Sequence, residues 1–455
     1  MQSSAQNHYI QEHGHSRSVW SKGSLLGGVS VAAGRGGDAA SLRARARTES
    51  ARSSDEGTAA EPPLVNRGQL FTPTLNEQRQ ERQQRRAEKI RFRQGLRRFA
   101  KRKSVQLCGS RVCSSSGVGV RVAETDSGRR AGFAGLSTCG NLWLCPVCSA
   151  KISARRAEEL GTVLKNARTA GYDLALVTLT VRHTAEDSLR EVWAAVSRGW
   201  HRVTSGKPWL TDKERFEIPG WVKAVEVTHS PRHGWHVHVH SVVAYRGSPG
   251  DATALGQRMF ERWQSGLKAT KGHKGFTALP GYGVDVQVAD GRSLGNLGMY
   301  LSKLGADLGG LSREVTQGTH KVARSKNRTP FQIGRDLVAS AEKHDRKIWD
   351  EWQEAAPGHR QMSWAKGFRE RFGLDAEEVS DEQIAAEELG TDDDTVCVLP
   401  SPEWKKIKHR SWELLNIAEN HGVDGLLRWL TRQGVGWEPA PLRERRQGAY
   451  GASKR

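Results

Sequence analysis

Three histidines alternate with valines in the segment GWHVHVHSVV, residues 234–243. Residues two apart on a β-strand point to the same side of a sheet, so His236, His238 and His240 would share one face and the valines the other. Neutral imidazoles are common metal ligands. The alternation therefore predicts either a metal site or an unusual exposed polar face of a sheet.

The preceding segment, WVKAVEVTHS, predicts a partner strand joined to the first by a short connection. If the turn is centred near Arg232, Glu226 lies opposite His238 and on the histidine side of the hairpin. Two imidazoles and one carboxylate suit Mn²⁺, Mg²⁺ or a related ion, and they leave coordination positions for substrate oxygens. Glu226 thus favours the metal site over the plain polar face.

The segment YLSK places Tyr300 and Lys303 three residues apart on a predicted helix, where they point the same way. A tyrosine oxygen can attack phosphorus when a metal polarises the phosphate and a cation balances the developing charge. Such a pair is common and mostly structural when it occurs alone. Because it follows the histidine strand here, it becomes a candidate catalytic pair.

Five of the six cysteines lie in one short stretch: Cys108, Cys113, Cys139, Cys145 and Cys148. Cys145 and Cys148 form a CxxC knuckle, and Cys139 stands close before it. With Cys108 or Cys113 as a fourth ligand, the cluster predicts a closed, tetrahedral Zn²⁺ site that is structural. The alternative is a set of unrelated buried thiols. Cys397 is isolated and is interpreted as a small apolar residue.

The chain has 70 Lys plus Arg against 50 Asp plus Glu, a net charge of +20. This excess indicates a polyanionic partner, most commonly nucleic acid, although a basic soluble enzyme would also fit. We find no apolar run long enough to span a membrane and no signal-peptide pattern, so we expect a cytoplasmic protein with no membrane partner.

The element order β-α-β-β-α-β-α predicts an α+β domain with a central antiparallel β-sheet and helices on one face. We expect six segments along the chain: a disordered tail over 1–75, a basic helix over 76–104, a cysteine-rich zinc-binding lobe over 105–165, the sheet domain over 166–330, a mostly helical region over 331–440 and a basic tail over 441–455.

Two basic segments are candidates for contact with phosphates. The first is the end of the basic helix, with Arg97, Arg98 and Lys101. The second is the predicted loop RSKNRTPFQIG, with Arg324, Lys326 and Arg328. For both segments, a solvated charged surface is the alternative interpretation.

The motifs occur together in an informative order. TLT at 178–180, WHVHVHSVV and YLSK resemble the three motifs of rolling-circle plasmid replication initiators of the HUH endonuclease superfamily, and most of all the single-tyrosine actinobacterial type. CGNLWLCPVCSAKI at 139–152 resembles the cysteine-rich element that precedes the first motif in these proteins. GHRQMSWAKGFRERFGL at 358–374 is similar to a C-terminal feature of the actinobacterial group.

This resemblance implies an HUH nicking domain in which His238 and His240 bind Mn²⁺ or Mg²⁺, with His236 outside the first ligand shell or as an alternate ligand. It implies that Tyr300 nicks one strand at the double-strand origin, keeps the 5′ phosphate as phosphotyrosine and leaves a 3′-OH for host polymerase, with a host helicase as a further partner. Some relatives carry a glutamate four residues before the tyrosine, where this chain has Asn296.

Two other functions stay open from the sequence. One is a zinc-containing DNA-binding regulator without catalysis, which needs neither the Tyr300 and Lys303 pair nor Glu226 on the histidine face. The other is a relaxase or transposase of the same superfamily; the cysteine-rich element and the long C-terminal region favour the replication class by analogy.

Overall fold

The computed structural model describes residues 74–288 and 327–440. The predicted tail over 1–75 lies almost wholly outside these ranges, as do the basic tail over 441–455 and the candidates Tyr300, Lys303, Arg324 and Lys326. No helix in the described part is long and apolar enough to cross a membrane.

The helices are α1 (Leu75–Leu96), α2 (Lys103–Leu107), α3 (Pro146–Thr169), α4 (Leu189–Val203), α5 (Gly206–Arg215), α6 (Pro249–Leu267), α7 (Pro330–Ser340), α8 (Lys343–Ala355), α9 (Phe368–Arg371), α10 (Asp381–Ala386), α11 (Ser401–Ile407) and α12 (Ser411–Arg432). The strands are β1 (Val118–Ala123), β2 (Arg130–Ala134), β3 (Asp173–Leu179), β4 (Gly220–Ser230), β5 (Gly234–Tyr245), β6 (Val284–Val288), β7 (Met362–Trp364), β8 (Thr395–Leu399) and β9 (Glu438–Pro439).

A five-stranded antiparallel sheet has the order β6-β3-β5-β4-β7, so the histidine strand β5 is central. Strands β4 and β5 form the expected hairpin, in which Glu226 faces His238. The register follows from the short connection and from the apolar residues on one face, because a shift of one residue would expose every valine. The fold is therefore α+β with antiparallel sheets and helices.

Helices cover both faces of this sheet. On one face Val225, Val227, Val237 and Val239 pack in the main core with residues of α4 and α6. The expectation that helices lie on one face only is wrong, because α3 also packs on the opposite face. There Val242 and Ala244, which continue the side of the histidines along β5, form an apolar cluster with residues such as Leu160 and Leu164 of α3.

A second sheet has the order β2-β1-β8-β9 and joins the cysteine-rich segment to residues near the other end of the chain. Its core includes Val120, Leu399, Leu414 and Leu426. The region 331–440, expected to be mostly helical, thus also contributes one strand to the first sheet and two to the second. Cys397 is buried in this core, and burial raises the pKa of its thiol to about 12, in keeping with a purely apolar role.

The predicted basic helix is α1, which begins with a capping box between Thr74 and Glu77. One side of α1 is buried, including Ala87, Ile90 and Leu96. The helix therefore packs against the rest of the folded chain. It is neither a free charged helix nor an arm whose only role is to bind phosphates.

Candidate functional site

The polar half of the histidine face carries a bonded group of three side chains. Glu226 Oε2 lies 3.0 Å from His240 Nε2, and Thr178 Oγ1 lies 3.1 Å from His240 Nδ1. Thr178 is the partner of His240 across β3, just as Glu226 and His238 are partners across β4. Three adjacent strands thus hold the imidazole of His240 from both sides, with its side chain 6% exposed and that of Glu226 30% exposed.

Burial sets the charge of this group. It lowers the pKa of His238, despite the nearby carboxylate of Glu226, so the ring is neutral at pH 7 and keeps a lone pair. Burial opposes ionisation of Glu226, but the hydrogen bond and charge of His240 outweigh it and lower the pKa of the carboxyl group. The face therefore offers a carboxylate and the neutral imidazole of His238, which is the donor chemistry of a divalent metal site.

The ligand atoms of this group do not yet converge. In the described ranges, the only cluster of at least three His, Cys, Asp or Glu side chains whose ligand atoms all lie within 4.8 Å of one another is the cysteine cluster. Binding a metal would require His240 Nε2 to exchange its bond with Glu226 for the ion. Thr178 allows this exchange, because its hydroxyl group can either donate to His240 Nδ1 or accept from it.

His236 has partners of its own. Its Nδ1 lies 2.8 Å from His183 Nε2, and its Nε2 lies 3.3 Å from Ser230 Oγ. Both nitrogens are thus engaged outside the His238 and His240 pair. His183 was not singled out from the sequence; it lies just past the end of β3, and its only sequence signal is that it is a histidine close to the TLT segment.

The cysteine cluster brings together Cys108, Cys139, Cys145 and Cys148. The sulfur of Cys108 lies 3.7 Å from those of Cys145 and Cys148, and Cys139 lies 3.6 Å from Cys148. A zinc ion about 2.3 Å from four sulfurs places them about 3.8 Å apart at the corners of a tetrahedron. The quartet could therefore hold a metal such as zinc, and the fourth ligand is Cys108, since Cys113 is exposed and lies outside it.

Cations surround this quartet. Hydrogen bonds from the other three cysteines, Cys139 foremost, lower the pKa of Cys108, and Arg93 nearby adds to the effect. The charge of Cys148 raises the pKa of Lys151, although burial lowers this pKa by more. Four thiolates around one Zn²⁺ carry a net double negative charge, so nearby cations stabilise the loaded state.

The described DNA-binding candidates all make bonds within the chain. Arg97 donates to the carbonyl oxygen of Cys108 at 2.8 Å and Arg98 to that of Val338 at 2.6 Å. Lys101 pairs with Glu354 at 2.6 Å, and Arg328 pairs with Asp336 and Asp345, each at 2.7 Å. Contact of these side chains with phosphates stays a prediction. To make that contact, each side chain would have to bind the phosphate in addition to its present partner.

Comparison with known proteins finds one family model that matches part of the chain and two relatives that resemble it. A family model described as "Replication protein" matches residues 134–249, a range that includes β3, β4, β5 and three of the four clustered cysteines. Tyr300 lies beyond that match. The chain is similar to "Protein rep" of Streptomyces lividans, with 26% identity over 366 residues that cover 68% of this chain and 80% of the relative.

It is also similar to "Neomycin resistance protein" of Streptomyces cyanogenus, with 33% identity over 153 residues, or 28% of this chain and 35% of that protein. No solved structure matches the chain. The family match covers the histidine strands, and the longer alignment covers most of the chain, as the resemblance drawn from the sequence motifs predicts. Over residues 134–249 the chain therefore matches the replication protein family, and it is similar to a replication protein over most of its length.

Proposed function

We propose that this protein is a plasmid rolling-circle replication initiator of the HUH type, which nicks one strand at the double-strand origin and later rejoins it. The observation that carries the proposal is the group of Glu226, His238 and His240 on the central strands of the sheet, inside the matched range. The net charge of +20 supports a DNA partner.

In this proposal His238, His240 and Glu226 would hold Mn²⁺ or Mg²⁺, with His236 behind them or as an alternate ligand. When bound, the ion would polarise the scissile phosphate and so favour attack on phosphorus. Thr178 orients the ring of His240 through Nδ1, and the hairpin register keeps Glu226 and His238 side by side. His183 orients His236 in the same way from the adjacent loop.

Tyr300 supplies the nucleophile in this proposal. Its phenol oxygen loses its proton and forms a bond to phosphorus, while the bond from phosphorus to the 3′ oxygen of the preceding nucleotide breaks. The 3′ oxygen takes up a proton and leaves as a 3′-OH primer. Lys303 lies three residues on and balances the added charge on the phosphate. The cysteine quartet would hold a Zn²⁺ ion with a structural role.

A nicking assay with matched tyrosine variants tests this function. The purified protein is incubated with supercoiled plasmid carrying the origin and with Mn²⁺ or Mg²⁺. Tyr300→Phe keeps the aromatic ring and removes the attacking oxygen, so we expect normal DNA binding and no nicking. Tyr282→Phe is the matched control, since Tyr282 is 85% exposed, and it should nick normally.

Mass spectrometry of the protein–oligonucleotide adduct identifies the residue that carries the phosphate. We expect the adduct on Tyr300, and full nicking by Tyr300→Phe would refute the assignment. His238→Ala or His240→Ala should lose nicking, whereas His201→Ala, an exposed histidine on α4, should not. A wild-type protein that binds the origin but never cuts it would favour the non-catalytic regulator.

A further inference from the structure

A cavity of about 810 Å³ lies beside α1, away from the histidine strand. Its walls come from α1, from β2, from the first turns of α3 and from the segment 385–389. This volume falls in the range of sites for small organic ligands. The proposed nicking chemistry does not use this space, and the cysteine quartet contributes only Cys108 and Cys148 to its wall.

Cations dominate the polar part of the walls. Five of them lie on α1, each with another of the five three or four residues away, and one more lies on β2 and one on α3: Arg82, Arg85, Arg86, Lys89, Arg93, Arg130 and Lys151. Only three carboxylates line the same space: Glu81, Glu387 and Glu388. The cavity therefore has a surplus of positive charge.

Part of this charge is already neutralised. Glu419, 1% exposed, pairs with Arg86 at 2.6 Å, and Glu81 pairs with Arg85. Lys151 donates to the backbone carbonyl oxygens of Ala385 and Glu387. Arg93 lies close enough to Cys108 for its charge to lower the pKa of that thiol.

Three cations of the cavity wall have no acidic partner among the described residues. Arg82, Lys89 and Arg130 make no ion pair within 4 Å with any carboxylate of the described residues. Two guanidinium nitrogens of Arg82, Nε and Nη2, are buried without a hydrogen-bond partner. Burial lowers the pKa of both Arg82 and Lys89, and the nearby cations Arg130 and Arg85 add to it. An anion placed between them would relieve this repulsion.

The rest of the lining is apolar. Ile90, Leu136, Phe133 and Leu415 contribute to it, and the ring of Phe133 packs edge-on against buried Trp404 at 5.0 Å between centroids. A ligand that matches this lining is anionic at one end and has an apolar surface at the other. We infer that this cavity binds a nucleoside phosphate, with the phosphates between Arg82, Lys89 and Arg130 and the base against the apolar wall.

Such a ligand can be a free nucleotide or one nucleotide of a DNA strand. The test is titration calorimetry of the full chain with ATP, with pyrophosphate and with a twelve-residue thymidine oligonucleotide. Arg82→Gln and Lys89→Met should each weaken ATP binding about tenfold or more, because each removes a charged contact to phosphate. Both variants should melt no lower than wild type, since neither residue has an acidic partner to lose.

Two substitutions that remove the same charge elsewhere are the controls. Arg428→Gln on α12 and Lys405→Met on α11 alter exposed residues outside the cavity lining and should leave ATP affinity unchanged. Displacement of ATP by the oligonucleotide would support a nucleotide of a strand as ligand; ATP binding without displacement would support a free nucleotide. No ATP or oligonucleotide binding, equal binding by all four variants, or pyrophosphate binding as tight as that of ATP would overturn the inference. None of these readouts depends on nicking.

Discussion

Replacing Cys108 with serine tests whether this cysteine is a metal ligand, because the nearby Cys113 offers a comparison outside the quartet. Cys108 is 1% exposed with its sulfur 3.7 Å from two other sulfurs, whereas Cys113 is exposed and outside the quartet. Cys113→Ser is therefore the matched control. It changes the same atom type, in the same segment, without touching the tetrahedron.

The expected loss follows from the four-ligand geometry. Structural zinc sites contribute roughly 10–16 kcal/mol of binding energy, or about 3 kcal/mol for each of four ligands. A serine hydroxyl group left unbonded in this buried cluster adds about 1 kcal/mol or more. Cys108→Ser should thus lower the free energy of unfolding by roughly 4 kcal/mol. For a folded unit of roughly 330 residues this lowers the melting temperature by about 6 °C.

The assay combines metal analysis of the purified protein with thermal unfolding. Wild type and Cys113→Ser should contain one zinc per chain and melt together, while Cys108→Ser should bind zinc more weakly through three cysteines and melt lower by the amount given above. Removal of the metal from wild type by a chelator should lower the melting temperature further than Cys108→Ser does, because it removes the contribution of all four ligands. Equal zinc content and equal melting of the two variants would refute the reasoning, as would loss of zinc from Cys113→Ser.

Two other predictions concern stability. Burial would raise the pKa of Glu159, but its ion pairs with Arg369 and Arg156, each at 3.0 Å, outweigh burial and lower this pKa. The ion pairs therefore stabilise the fold at pH values above 4.5, the ordinary pKa of glutamate. This stabilisation is lost as the pH falls through the lowered pKa of the folded state. Urea unfolding of Glu159→Gln should show a loss of about 3 kcal/mol at pH 7 and a smaller one below pH ~4, and an equal loss at both would contradict this. Gly422 interrupts α12 at φ 64° and ψ −165°, so Gly422→Ala should cost about 1–3 kcal/mol. Gly161→Ala on α3 is the control, because an added Cβ there meets nothing within 4 Å, and it should be neutral or stabilising by about 1 kcal/mol. Similar shifts in melting temperature for the two glycine variants would contradict the backbone strain expected at position 422.

Local patterns in the sequence determine much of the candidate site. The alternation in β5, the short connection and the parity of Glu226 predict the hairpin and its register, because a two-residue period allows only one side of each strand to be buried. The CxxC knuckle predicts most of the quartet for a similar reason, since closely spaced cysteines need little chain reorganisation to share one metal.

Contacts between segments far apart in the chain are decided by the tertiary structure alone. Neither cysteine spacing nor periodicity distinguishes Cys108 from Cys113; the path of the chain after α2 buries the first and exposes the second. The meeting of His183 with His236 and the pairing of β8 with β1 likewise depend on distant segments packing together. Such packing is driven by the burial of whole apolar faces, as α3 covers Val242 and Ala244, and a local pattern shows that a face needs cover without showing which segment provides it.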